Sequence, residues 1–201
     1  MRSICVLLSA PNNKIKKKLT ETIKEVTIVI GVFALVFVLM VTFNIYVHKK
    51  NHVDGTSMEP TLQDGQSVYT TMLPYIFGEP EIGDIVVIDI DIKENDSTYF
   101  RLFKQTLSGK SDTFWIKRIV GLPGDQIAFK NKQFYRNGKL VEEDYIKEQN
   151  VYTYPVDITF TVPEEHVYVM GDNRNLSKDS RDATVGPIPI YKIIGYMWKT
   201  A

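Results

Sequence analysis

Ser57 lies in the run Gly55-Thr56-Ser57-Met58-Glu59-Pro60-Thr61-Leu62, a serine among small and turn-forming neighbours. A serine hydroxyl is a poor nucleophile by itself. It needs a base within hydrogen-bond reach and a backbone that offers its own amide to a developing oxyanion. Gly55 and Pro60 suit a loop shaped for that purpose, although the same cluster also builds an ordinary turn. A base is available at Lys117, set among bulky apolar residues in Phe114-Trp115-Ile116-Lys117-Arg118-Ile119-Val120 and followed by Gly121-Leu122-Pro123-Gly124-Asp125. Side chains alternate on a strand, so a Lys117 sharing a face with Trp115 and Ile119 is drawn out of water, which favours the neutral amine. Lowered several units from its ordinary pKa of about 10.4, such an amine is a usable general base. A Lys117 on a solvent face would remain an ammonium. The third segment, Gly171-Asp172-Asn173-Arg174-Asn175-Leu176-Ser177-Lys178-Asp179-Ser180-Arg181, is polar almost throughout. That composition fits a solvated loop, and it also fits a bonded shell around a catalytic lysine.

Segments so far apart in the chain meet only if a folded body brings them together, and the patterning of that body is β. Short apolar or alternating runs at 85–88, 115–120, 126–129 and 167–170 are separated by turn signals and read as strands. Asn137-Gly138, between Gln133-Phe134-Tyr135 and Lys139-Leu140-Val141, supplies the positive φ values of a two-residue hairpin turn. The polar stretch 93–112 is expected to be a hairpin with a mobile tip. No long 3.6-residue apolar period occurs after residue 47, so the fold class is mostly β, with antiparallel sheets and only short helices.

Ahead of this body, residues 26–47 are 22 consecutive uncharged positions rich in Val, Ile, Phe and Leu. At about 1.5 Å per residue they cross the hydrocarbon core of a bilayer, and they are longer than the apolar part of a cleaved leader, which is about 7 to 15 residues. The expected organisation is a basic tail at 1–25, a transmembrane helix at 26–47 and a catalytic domain at 48–201. The 24 Lys and Arg balance the 24 Asp and Glu overall, but residues 1–50 carry eight basic and two acidic residues, net +6, which leaves −6 on the remainder. A mildly acidic body excludes nucleic acid as its partner. The more basic flank keeps residues 1–25 in the cytoplasm and sends the body across the membrane. The single cysteine, Cys5, rules out an internal disulfide and falls on the cytoplasmic side.

In order and wording these segments resemble the type I signal peptidase family. The resemblance covers the anchor, the Ser-Met-x-Pro-Thr-Leu segment at Ser57, the Gly-Asp-Ile-Val-Val strand at Gly83, the Lys-Arg-x-Val-Gly-x-Pro-Gly-Asp segment at Lys117 and the Gly-Asp-Asn-Arg-x-x-Ser-x-Asp-Ser-Arg segment at Gly171. It implies Ser57 as nucleophile, Lys117 as general base, and Ser177 as a hydroxyl that orients the lysine amine. Asp172 with Arg118, and Asp179 with Arg181, are implied as supporting ion pairs. Val53, Met58, Leu62, Trp115 and Ile116 match positions that line the groove in which a substrate lies extended. The implied partners are signal peptides of secreted preproteins and membrane lipid, with small residues favoured just before the cut and two positions earlier. No cofactor or metal is implied. Some family members have a serine two residues before the nucleophile that assists the oxyanion; Gly55 stands there in this chain, so the Ser57 amide carries more of that role. The short stretch between Asp125 and Gly171 resembles compact members of the family.

Rival chemistries fit less well. A Ser-His-Asp triad would need His48, His52 or His166, none of which sits in a recognisable triad motif. Three scattered histidines and one cysteine offer no zinc spacing. A self-cleaving repressor protease would share the Ser/Lys pair but would carry a DNA-binding head in place of the anchor. An inactive receptor for leader peptides would not require both Ser57 and Lys117.

Overall fold

A computed structural model of the chain describes residues 13–46, 49–72, 78–94, 114–148, 151, 153–155 and 157–200. The stretch 95–113, which holds most of the expected polar hairpin, and Cys5 lie outside the described residues. The molecule divides near residue 42 into two units.

The first unit is helical. Helix α1, Asn13–Tyr46, runs for 34 residues, about 51 Å at the standard rise. It begins well before the uncharged run, because the Lys, Leu and Glu residues of 14–25 favour helix and Lys17 and Glu21 pair opposite charges four positions apart. Its apolar side chains are exposed on every side, Phe33 at 73% and Ile28 at 66%. By length and composition it is able to cross a membrane.

The described residues of the second unit form eleven strands in two antiparallel sheets. In chain order they are β1 (Lys49–His52), β2 (Ser67–Thr71), β3 (Ile85–Ile88), β4 (Trp115–Gly121), β5 (Gln126–Lys130), β6 (Gln133–Arg136), β7 (Lys139–Leu140), β8 (Ile158–Thr161), β9 (His166–Met170), β10 (Ile188–Pro189) and β11 (Ile193–Thr200). The larger sheet has the order β1-β2-β11-β3-β4-β9-β10 and the smaller one β7-β6-β5-β8. A 3-10 turn, Ile190–Lys192, precedes β11.

The core explains why Ile119-Val120 of β4 and Val167 to Met170 of β9 read as apolar runs. Ile119, Val167 and Val169 join Val86, Ile88, Ile188 and Ile193 in one cluster, whereas Val120, Tyr168 and Met170 join Ile127, Phe129 and Phe134 in another. Both faces of these strands are therefore buried, and alternation between apolar and polar residues is lost. The hairpin turn forms at Asn137 (φ 52°) and Gly138 (φ 75°) between β6 and β7, and the Asn137 amide locks it by accepting from the Gln126 N–H and donating to Asp125.

Candidate active site

Three segments converge on the site. The first is the connection between β1 and β2. Here Gly55 has a φ of 92°, open to glycine and strained for other residues, and its N–H donates to Asp64 at 2.8 Å. The loop closes on itself through Glu59 N–H to the Thr56 carbonyl and Leu62 N–H to the Met58 carbonyl. It presents Ser57 at its crest, partly exposed. The Ser57 N–H donates to no group among the described residues, which leaves it available to a substrate oxygen.

The second segment is β4. Its period of two puts Lys117 on the face of Trp115 and Ile119, opposite Val86 of β3, and only 4% of the residue remains exposed. The amine lies 2.8 Å from Ser57 Oγ and donates to the Ile116 carbonyl at 2.9 Å. Burial pushes its pKa down from 10.5 to about 8; the carboxylates of Asp179 and Asp172 pull the other way, and the Arg181 guanidinium adds to the depression. A buried amine in contact with a hydroxyl and poised near neutrality can take and return a proton.

The third segment follows β9. Gly171 has no room for a Cβ, which would collide with the Ser57 carbonyl and with Ser177. Asn173 donates its backbone N–H to the Ser57 carbonyl at 3.1 Å and its side-chain amide to the Thr56 carbonyl at 3.0 Å, so this loop grips the nucleophile loop directly. Asp172 takes a two-pronged bond from Arg118, at 2.9 and 2.7 Å, and a third bond from the Thr61 hydroxyl at 2.5 Å. Asp179 is held the same way by Arg181, at 2.8 Å from each of two nitrogens, and accepts from Gly171 N–H. Burial alone raises the Asp179 carboxyl, but Arg181, the Gly171 amide and Ser177 together hold it below the usual carboxylate range.

The structure thus brings Ser57, Lys117, Arg118, Asp172, Asp179 and Arg181 into one cluster. Ser177 sits beside it with a buried hydroxyl that influences Asp179 but makes no hydrogen bond of good geometry, and none to the Lys117 amine. Among the groove positions, Met58 and Leu62 are 1% and 0% exposed and Val53 is 4% exposed. They are packed inward and offer a peptide little surface, whereas Trp115 is partly exposed and Ile116 stands at 9%. His52 bonds Ser67 and His166 bonds the Glu164 carbonyl, so neither serves Ser57.

Sequence reasoning gave no role to Thr61, Asn173 and Arg174. Arg174 is fully buried in an ion pair with Glu143. The signal for it was present only as an arginine inside a polar motif; its acidic partner lies 31 positions away in an unremarkable charged stretch.

Fold and site together define a class, an antiparallel β protein with a serine beside a buried lysine. Comparison with known proteins narrows it. A family model described as "Signal peptidase, peptidase S26" matches residues 21–198. The chain is 33% identical over 174 residues to signal peptidase I of Bacillus licheniformis, covering 83% of this chain and 80% of that one. It is 34% identical over 183 residues to signal peptidase I S of Bacillus subtilis strain 168, covering 87% and 85%. The crystal structure of a signal peptidase I from Enterococcus faecalis V583 aligns at 25% identity over 60% of this chain and 97% of its own, with a TM-score of 0.42. The chain belongs to the signal peptidase family, peptidase S26.

Proposed function

We propose that this chain is a membrane-anchored endopeptidase that removes signal peptides from exported proteins, with Ser57 as nucleophile and Lys117 as general base. The observation that carries the reading is the 2.8 Å separation of the Lys117 amine from Ser57 Oγ, with the lysine withdrawn from water. In its neutral form the amine accepts the Ser57 proton as Oγ attacks the scissile carbonyl. The unbonded Ser57 N–H meets the oxyanion. Collapse of the tetrahedral intermediate breaks the C–N bond, and the Lys117 ammonium gives its proton to the departing amine, leaving an ester on Ser57. Water, deprotonated in turn by Lys117, attacks that ester and frees the enzyme. The bond to the Ile116 carbonyl occupies one N–H and holds the amine beside Ser57.

Helix α1 supports the anchor, with residues 1–25 in the cytoplasm and the β unit on the opposite face, where preproteins emerge. A purified, detergent-solubilised protein incubated with a preprotein tests the reading. Cleavage at the leader boundary is expected, with Ser57→Ala and Lys117→Ala each losing several orders of magnitude and the double variant little worse than either. Lys117→Arg is expected to fail as well, because a guanidinium does not give up its proton in a protein. Retained turnover in Lys117→Arg would overturn the assignment.

A further inference from the structure

The segment 143–148, between β7 and β8, supplies no group to the Ser57 and Lys117 chemistry, yet three of its residues each reach a different part of the site. Glu143 accepts two bonds from the Arg174 guanidinium, at 2.5 and 2.7 Å, and one each from the Tyr145 and Tyr154 hydroxyls, at 2.7 and 3.1 Å. The pair is dry, with side chains 0% and 4% exposed. The Tyr145 ring centre lies 4.1 Å from the Arg118 guanidinium. Lys147 donates its backbone N–H to the Asp172 carbonyl at 3.0 Å and its ammonium to Glu59 at 2.7 Å.

These contacts end on the groups that brace the reacting atoms. The Arg174 Nε–H donates to the Gly171 carbonyl at 2.9 Å, and Gly171 is wedged against the Ser57 carbonyl. Arg118 ties Asp172 to the carbonyl of Gly83 and sits next to Lys117 on β4. A buried ion pair adds little net stability, but removing one partner leaves a lone charge that must move to find another. Without Glu143, Arg174 would be such a charge, held among the described residues by its bonds to the Gly171 carbonyl and the Tyr154 hydroxyl. Without the Tyr145 ring, Arg118 would lose the aromatic face that lies 4.1 Å from its guanidinium and helps to hold it in place. The Lys147–Glu59 pair is half exposed on the lysine side, 43%, and contributes less.

We infer that Glu143 and Tyr145 are positioning residues for the peptidase reaction, fixing Arg174 and Arg118 and through them the distance between Ser57 and Lys117. The inference rests on the Ser57 and Lys117 reading. It is tested with the full chain in detergent micelles acting on a preprotein, each rate normalised to the folded fraction measured by circular dichroism. Glu143→Gln is expected to lower kcat on the order of 10- to 100-fold with KM within about twofold, the signature of a small displacement of reacting atoms. Tyr145→Ala is expected to do the same, and Tyr145→Phe, which keeps the ring over Arg118, to restore most of the lost rate. Should Glu143→Gln fail to fold, the Tyr145 pair decides. A second readout needs no catalysis: in Ser57→Ala protein, adding Glu143→Gln or Tyr145→Ala is expected to speed amide hydrogen exchange at 56–62 and 171–174. Wild-type kcat in both Glu143→Gln and Tyr145→Ala would overturn the inference. So would a loss explained by the unfolded fraction, a loss carried wholly in KM, or unchanged exchange. If preprotein cleavage itself survives Ser57→Ala, the Ser57 and Lys117 reading fails separately, and the exchange measurement alone judges the segment.

Discussion

A lysine with 4% of its surface exposed strains the fold that holds it. Its pKa is lowered from 10.5 to about 8, so the fold disfavours the ammonium that an unfolded chain carries freely. The destabilisation is complete below about pH 8 and fades as the pH rises toward 10.5, where both states hold a neutral amine. Lys117→Met, similar in length and uncharged, is therefore expected to be more stable than the wild type at pH 7 by up to roughly 3 kcal/mol, with the gap closing above pH 8. Denaturant unfolding at the two pH values measures this; equal stability at pH 7 would mean that the amine is solvated. Activity follows the same group in the opposite sense. The neutral fraction, and with it kcat/KM, is expected to rise about tenfold per pH unit and level off above about 8. His52→Ala and His166→Ala leave that limb in place, and a shifted limb in either would point to a histidine base. At this scale the cluster was legible where a residue contradicted its surroundings, as a lysine does inside an apolar strand. Glu143 was not legible, because in Glu142-Glu143-Asp144 it looks like its solvated neighbours, and only the fold turns its side chain to 4% exposure.

Elements were legible in proportion to the local character of their signals. Asn137-Gly138 names its own turn, and the runs that became β3, β4, β5 and β9 announce themselves by apolar content. β11 does not, although it lies inside the larger sheet between β2 and β3. Gly195 interrupts its pattern and its pairing shifts register twice, near Ile193 and near Met197. The glycine is there because a Cβ would press within 3.3 Å of Thr70 on β2, a requirement set by a neighbour 125 positions away. Gly171 illustrates the same point at the site. Gly171→Ala is expected to cost about 1–3 kcal/mol of stability through overpacking. Because the methyl must displace the Ser57 carbonyl or Ser177, it is also expected to lower kcat on the order of 100-fold. Comparing thermal unfolding with the cleavage rate of the folded protein separates the two effects, and a fully active Gly171→Ala would show that the loop yields without moving Ser57.

For the whole molecule, sequence alone separated an apolar helix from a β body, since both signals depend on composition averaged over many residues. The run 26–47 was read as the membrane span, and α1, Asn13–Tyr46, takes in the charged stretch before it as well, because charge sets where a bilayer ends but does not end a helix. Orientation is open to a direct check. An impermeant thiol reagent applied to intact cells is expected to leave Cys5 unlabelled until the membrane is broken; labelling from outside would invert the proposed topology. The strand order has a consequence for assembly. The crest bearing Ser57 connects β1 to β2, whereas Lys117 belongs to the group β3-β4-β9-β10, and within the sheet β11 alone bonds to both groups. Residues 193–200 follow both groups in the chain, and until they are in place β2 and β3 face an unfilled gap. Within the sheet, then, the parts carrying Ser57 and Lys117 are joined edge to edge only when β11, which follows all the other described strands in the chain, closes that gap.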